Sequence, residues 1–310
     1  MRVDLRPAIR LGLCCINSEL REKDIFCSRT MPRRTFSVER ARELALRNLD
    51  DAVRMMEWNA AHGIHVFRLS SDILPHFTDP ETEKYSLDFA REKLEEVGKA
   101  AVRFGQRLTM HPGQFNQVGA VSQEVFEKTA ADLAMHADLL DGMGTDPNES
   151  VLCVHGGGVY GDKSGTIGRW IRQFDDLPAK VRRRLAIENC EKCYSPHDCL
   201  CIAERCGIPM ILDSHHEACY RMLHPSEAAF EVEDMIPQIL DTWRGVPLFH
   251  VSDQRPGARV GAHSDFVERL PGYMLDVPDL YGSPLDVEVE AKAKEKAIAK
   301  LYETHKNLVI

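Results

Sequence analysis

Short runs of apolar and β-branched residues recur along the chain, each followed by a longer stretch whose apolar positions repeat every three or four residues. Eight runs stand out: Ile9–Cys15, Val66–Leu69, Arg107–Met110, Val151–His155, Leu185–Glu188, Met210–Asp213, Leu248–Val251 and Asp286–Glu290. Runs this short and this apolar read as buried strands. Between them the period is helical. Leu49, Val53, Met56 and Ala60 share one face of a helix that the pattern ends at Gly63. Ser37 opens that helix, with Glu39 one place too early to complete a capping box. Leu87–Phe104, Val121–Leu140, His197–Cys206, Ala228–Trp243 and Ala291–His305 read similarly. There is no low-complexity tract, no Gly/Ser linker and no sign of a second core. The alternation predicts an α/β protein, a (β/α)8 TIM barrel forming a single domain over residues 1–310.

Composition narrows the class without naming a chemistry. The chain has 310 residues, 44% hydrophobic and 28% charged, which excludes disordered and fibrous proteins. No apolar run approaches the ~18 residues of a membrane span, and the N-terminus lacks the apolar centre of a secretory signal. The expectation is an intracellular enzyme, in cytoplasm or nucleus, with no membrane contact, no obligate protein partner and a monomeric state. Thirty-nine basic and 48 acidic residues leave a net charge of −9, which argues against coating DNA by bulk electrostatics. Carboxylates that hold divalent ions would alter that sum locally. Ten cysteines in a chain without an export signal are expected to be reduced.

The chemistry emerges at the residues that close the strands. In chain order these are Asn17, Ser70, His111, His155, Glu188, Asp213, His250 and Glu290, with His216 and His263 shortly after strands six and seven. In this fold the C-terminal strand ends converge on one face, so the rim gathers five histidines and three carboxylates. A lone His after a strand is more often a hydrogen-bonded loop residue. Eight metal-ligand types at the same end of successive strands point instead to a polynuclear site. Nitrogen and oxygen donors without a thiolate suit Mn, Zn or Fe rather than Ca or a soft metal. Two or three ions around one pocket suit phosphodiester hydrolysis, and the same ligands would also serve a sugar isomerase or epimerase.

At these residues the sequence resembles the UV damage endonuclease family, whose fold resembles that of endonuclease IV. The likeness is carried by NLDDAVRMMEWNAAHGIHVFRLSSDILPH (48–76), LTMHPGQF (108–115), VHGGGVYGDKSG (154–165), LAIENCEKCY (185–194), ILDSHH (211–216), HVSDQR (250–255), AHSD (262–265) and VEVEAKAKEKA (287–297). The resemblance implies His111, His155, Glu188, Asp213, His216, His250, His263 and Glu290 as metal ligands, with Glu188, His155 and Glu290 carrying the catalysis. Glu288 shares the parity of Glu290 along its strand, and the resemblance decides for Glu290. It further implies two or three divalent ions, Mn2+ first with Zn2+ or Mg2+ as alternatives, and damaged double-stranded DNA as the partner. The strand would be nicked immediately 5′ to a UV photoproduct. Gln114 and Phe115 match a pair that enters the duplex where the lesion is flipped out, and Asn17 matches an Asn near the lesion pocket. An apolar wedge offsets part of the cost of unstacking.

Three positions depart from the family pattern. Leu13 stands where many members carry an aromatic residue, Leu248 where a Lys near the metals is usual, and Asp79 close to where some place a His. All three touch the substrate or metal side. They keep open a second class, a lesion-binding protein that does not cut, beside the sugar isomerase.

Other features have plainer readings. Cys190, Cys193, Cys199, Cys201 and Cys206 include a CxxC but no second one, so small apolar fillers are expected rather than a further metal. Arg29, Arg33, Arg34, Arg40, Arg42, Arg255 and Arg259 fall on active-face loops as phosphate contacts, whereas Arg182–Arg184 reads as a solvated face. Gly156–Gly158 reads as a turn that lets backbone amides approach DNA.

Overall fold

A computed structural model describes residues 8–227 and 231–308. Eight parallel strands close into a barrel in sequence order: β1 Ile9–Cys14, β2 Val66–Leu69, β3 Arg107–Met110, β4 Leu152–His155, β5 Leu185–Glu188, β6 Met210–Asp213, β7 Leu248–Val251 and β8 Leu285–Val289. Every predicted strand forms, with ends differing by at most one residue. The (β/α)8 barrel expected from the alternation is the fold observed.

Two apolar compartments follow from the period of two along each strand. One side of each strand packs against the helices in a continuous core that includes Leu11, Leu13, Phe67, Leu108, Ile187, Leu212, Phe249 and Val287. The alternate side fills the barrel with Val66, Val151, Cys153, Ala186, Ile211 and Leu248, against Trp243. Leu13, a departure from the family pattern, is fully buried in the outer core.

The barrel interior is also ionic. Asp286 accepts from Arg10 Nε at 2.6 Å, Arg10 Nη2 at 2.7 Å and Arg107 Nη1 at 2.8 Å. One step up β8, Glu288 lies 3.4 Å from Arg68 Nη1 and 3.1 Å from His250 Nε2. Asp286, Glu288 and Glu290 thus rise along one inward-facing row of β8 towards the C-terminal mouth.

Most helices form where the pattern places them, although the one predicted over Ala291–His305 runs only from Glu295 to Thr304. Ser37 accepts from Arg40 N at 3.2 Å and caps the helix Val38–Ala61, which ends before Gly63 in a left-handed conformation (φ +69°). Inside that helix the buried Asn48 takes Arg29 N at 2.8 Å and donates to Arg29 O and Ile73 O, tying two active-face loops together. The predicted helix Ala228–Trp243 starts outside the described residues. Its described part is a 3-10 turn, Val232–Met235, leading into Ile236–Asp241, with Pro237 accommodated in the first turn.

Two arginine readings are corrected. Arg184 is 2% exposed rather than solvated, because its guanidinium holds Asp141 Oδ1 at 2.7 Å and the carbonyls of Thr145 and Ser150. Arg29 is unavailable to phosphate, being buried against Asp51 at 2.6 Å. Arg34, Arg255 and Arg259 remain exposed on the active-face loops.

Candidate metal centre

Glu188 closes β5 and stands at the centre of the mouth with no solvent exposure. Its Oε2 lies 2.9 Å from His111 Nε2, at the end of β3, and 3.6 Å from His155 Nδ1, at the end of β4. Its Oε1 lies 2.8 Å from His250 Nδ1 on β7 and 3.6 Å from His216 Nδ1. One carboxylate on β5 therefore gathers imidazoles from the ends of its four nearest strands, β3 and β4 on one side and β6 and β7 on the other. On the far side His250 Nδ1 lies 3.4 Å from Glu290 Oε1, and His263 Nε2 lies 3.9 Å from Glu290 Oε2.

Local structure fixes several of these groups. Asp213 ends β6 and caps the helix Ser214–Leu223, accepting from His216 N at 2.7 Å; this one turn places both side chains at the mouth. The His263 Nδ1 faces Glu290 O at 2.8 Å and Ser252 Oγ at 2.9 Å, which aims its Nε2 inward. Arg68 Nη1 lies 2.5 Å from Glu290 Oε1. Behind Glu188, Asn189 bridges to β6 through the Asp213 backbone at 2.9 Å in both directions.

The donor set fits divalent cations. Ligand atoms of His155, Glu188 and His216 lie within 4.8 Å of one another, as do those of Glu188, Asp213, His250 and Glu290. A third such group is His111, Cys153 and Glu188. His155 Nδ1 and Asp213 Oδ2 are buried without a hydrogen-bond partner, an arrangement protein interiors seldom keep unless something else satisfies it. Four carboxylates, Glu188, Asp213, Glu288 and Glu290, line this mouth, and Arg68 reaches two of them, Glu288 and Glu290. The histidines respond accordingly. Burial opposes protonation of His216, but Asp213, Glu188 and Glu290 outweigh it and raise the ring to about 9. His250 is likewise held well above its ordinary value against burial, by Glu188 and Glu288. Burial dominates at His155 and lowers it to about 4, leaving a lone pair free at neutral pH.

Of the eight residues expected to ligate metal, seven fall in these groups, and His263 lies just outside them against Glu290. Asn17 lies deeper than a rim contact: it caps the short helix Ser18–Glu22, accepting from Leu20 N at 2.9 Å, and its amide nitrogen is buried unpartnered. Gln114 is exposed and Phe115 is 68% exposed, both on the loop after β3. Beyond the tip of that loop, Gln117 accepts from Gly158 N at 3.3 Å and from the Tyr160 hydroxyl, joining the loops after β3 and β4.

The sequence pattern leaves two interior residues unmarked, Cys153 and Arg68, and the resemblance sets a third, Glu288, aside in favour of Glu290. Cys153 shares the parity of His155 and brings its Sγ to 3.0 Å from Glu188 Oε2. Glu288 is buried one step below Glu290, and Arg68 sits inside what reads as an apolar strand. Leu248, where the resemblance leads one to expect Lys, packs in the apolar part of the interior. Asp79 pairs with Arg33 at 2.9 Å and His76 at 3.1 Å. The clustered cysteines form no ligand group among the described residues. Cys190 Sγ instead accepts the backbone N–H of Cys193 and of Tyr194, each at 3.2 Å. Gly156 is required by packing, since a Cβ there would lie 2.5 Å from the Tyr194 ring.

A closed parallel barrel whose polar groups converge at its C-terminal mouth defines an enzyme of the (β/α)8 class. The sequence profile of the family described as "UV-endonuclease UvdE" matches residues 9–309, and the chain belongs to that family. It is 39% identical over 303 residues to a protein of Acanthamoeba polyphaga mimivirus assigned as a UV-damage endonuclease, covering 95% of this chain and 90% of that one. It is 34% identical to the UV-damage endonuclease of Schizosaccharomyces pombe over 94% of this chain, and spans 50% of that longer protein. The solved structure of SacUVDE superposes with a TM-score of 0.84 at 29% identity, over 97% of this chain and 99% of that one. A D-psicose 3-epimerase from Clostridium cellulolyticum H10, at TM-score 0.54 and 11% identity, shares the fold alone. The family places the chain among the DNA endonucleases of UV-damage repair. Among the described residues no helix is long and apolar enough to cross a membrane.

Proposed function

We propose that this chain nicks duplex DNA immediately 5′ to a UV photoproduct at a polynuclear divalent-metal centre in the barrel mouth. The observation that carries the reading is Glu188, buried and surrounded by His111, His155, His216 and His250. Glu188, Asp213, His250 and Glu290 would hold one ion, and His155 and His216 would share Glu188 with another. His111 and His263 would complete the set. Two or three ions are expected, Mn2+ first as the family resemblance implies; the donors, nitrogen and oxygen apart from one thiol, suit Mn, Zn or Fe. When bound, such ions supply Lewis acidity at the phosphate and offset charge on the leaving oxygen.

The chain's own groups do the rest. Arg68 fixes Glu290 and keeps its carboxyl ionised against burial, with His250 assisting. His155, neutral near pH 7, is free to ligate without first losing a proton. Gln114 and Phe115, exposed on the loop after β3, would enter the duplex and hold the gap left by the flipped lesion. Arg34, Arg255 and Arg259 would meet backbone phosphates.

The test uses three end-labelled duplexes, one with a cyclobutane pyrimidine dimer, one with an abasic site and one undamaged. A single cut abutting the 5′ side of the dimer, leaving a 3′-hydroxyl, is expected. Cutting confined to the abasic duplex would reject the photoproduct assignment. Lesion-specific retention of an uncut duplex in the presence of Mn2+ would favour a binding protein.

A further inference from the structure

Among the described residues, Cys153 is the one sulfur that belongs to a group of converging ligand atoms. Two other buried cysteines turn to backbone carbonyls, Cys199 to Glu188 O at 3.4 Å and Cys27 to Cys15 O at 3.7 Å, and Cys219 reaches Gln254 Oε1 at 3.6 Å, outside the ligand groups. Cys14 reaches Glu288 only at 4.0 Å. Cys153 Sγ lies 3.0 Å from Glu188 Oε2, the same oxygen that His111 Nε2 meets at 2.9 Å, and His111, Cys153 and Glu188 converge within 4.8 Å. The side chain is 2% exposed, and its inward neighbours Val66, Val151, Ala186, Ile211 and Leu248 are apolar. Water therefore has little access to compete for a ligand position on that side.

We propose that Cys153 is a metal ligand, and that the ion position beside His111 is thiolate-ligated and selects a thiophilic divalent cation such as zinc or cobalt over manganese. This rests on the metal-centre reading above and divides that centre in two. The group Glu188, Asp213, His250 and Glu290 offers only nitrogen and oxygen and suits a harder ion. The group with Cys153 offers a nitrogen, an oxygen and a sulfur. On binding, the S–H bond breaks, a sulfur–metal bond forms and the proton passes to the buffer. In the metal-free chain burial and Glu188 keep the thiol protonated. A coordinated divalent ion reverses that balance, since a ligating thiol is deprotonated outright.

The experiment strips the full chain with a chelator and titrates it with Co2+ under anaerobic conditions. The expected result is a near-ultraviolet sulfur-to-cobalt charge-transfer band that is absent from Cys153→Ser and present in Cys190→Ser/Cys193→Ser. Serine retains a hydroxyl donor to Glu188, so the variant should fold and still show the visible ligand-field bands of cobalt at the other position. In competition, the preference for Zn2+ over Mn2+ should fall by about tenfold or more in Cys153→Ser. Ligand-field bands without a sulfur band in the parent chain, or a sulfur band that survives in Cys153→Ser, would overturn the proposal while leaving the metal centre intact. Failure to bind Co2+ at all would overturn both.

Discussion

Glu188 Oε1 and His250 Nδ1 face each other at 2.8 Å across the barrel mouth, and both side chains are fully buried. Burial alone would keep this carboxyl protonated and this imidazole neutral. Against burial, the interactions with His250, His155 and His111 hold Glu188 well below the ordinary carboxylate range. The pair places an ionised carboxylate where the ends of β3 to β7 meet. Glu188→Gln should keep the fold and lose the centre. Equilibrium dialysis with Mn2+ should show at least one equivalent fewer bound than in the parent chain. Unchanged stoichiometry would contradict Glu188 as the shared ligand.

Proton release should accompany metal uptake. His216 is raised to about 9 and His250 well above its ordinary 6.5, so both are largely protonated at pH 7 in the metal-free chain, and a ligating imidazole must be neutral. Apparent affinity should rise between pH 7 and 9, with the His216 contribution gone above about 9. Calorimetry at pH 7 in buffers of different ionisation enthalpy checks this, and binding without proton release would refute it. The stability sign is opposite to the affinity trend. In the metal-free chain the raised value makes His216 stabilising below its ordinary 6.5, and that contribution is lost as pH rises through about 9.

Phe115 contributes little to folding because 68% of it is exposed. Gln114→Ala/Phe115→Ala should melt within about 0.5 kcal/mol of the parent. Affinity for a dimer-containing duplex should fall about tenfold or more, the scale of one lost stacking contact. Cleavage at saturating protein should change less than binding does. Equal loss in binding to damaged and undamaged duplex would argue against a lesion-reading role.

Asp286 tests the frame beneath the site. It neutralises Arg10 and Arg107 inside the barrel, and Asp286→Ala would take this carboxylate from both, leaving Arg107 only the longer contact to Glu149 at 3.7 Å. Such a loss costs about 3–5 kcal/mol. Urea denaturation of the metal-free chain measures it directly. A cost below about 1 kcal/mol would show that the interior ion cluster is not structural.

Much of this was legible before any coordinates, for a physical reason. Parallel strands buried on both faces appear as short apolar runs, and Val66–Leu69 or Met210–Asp213 end within a residue of the pattern because the next residue must serve the rim. His155, Glu188 and Asp213 were visible because they interrupt those runs at the same end. Cys153 and Arg68 were harder to place because their roles depend on which side of the strand faces inward, and the role of Glu288, whose parity was plain, depends on how adjacent strands are registered. His250 pairs in register with Glu288 on β8 and Asp213 on β6, a relation between segments far apart in sequence. Arg184 misled because its charge suggested solvent, whereas Asp141, some forty residues away, supplied the partner. Asn17 carried a capping signal, three residues before Leu20, that its strand-end position obscured.

The most direct measurement is strand scission of a duplex carrying one cyclobutane pyrimidine dimer, with chelator-stripped protein before and after Mn2+ is restored. The account predicts an intact strand without metal, one nick adjoining the 5′ side of the dimer with it, and a rate lower by at least about 10³-fold in Glu188→Gln. Metal-independent nicking, or an unbroken strand in the presence of Mn2+ and folded protein, would contradict it.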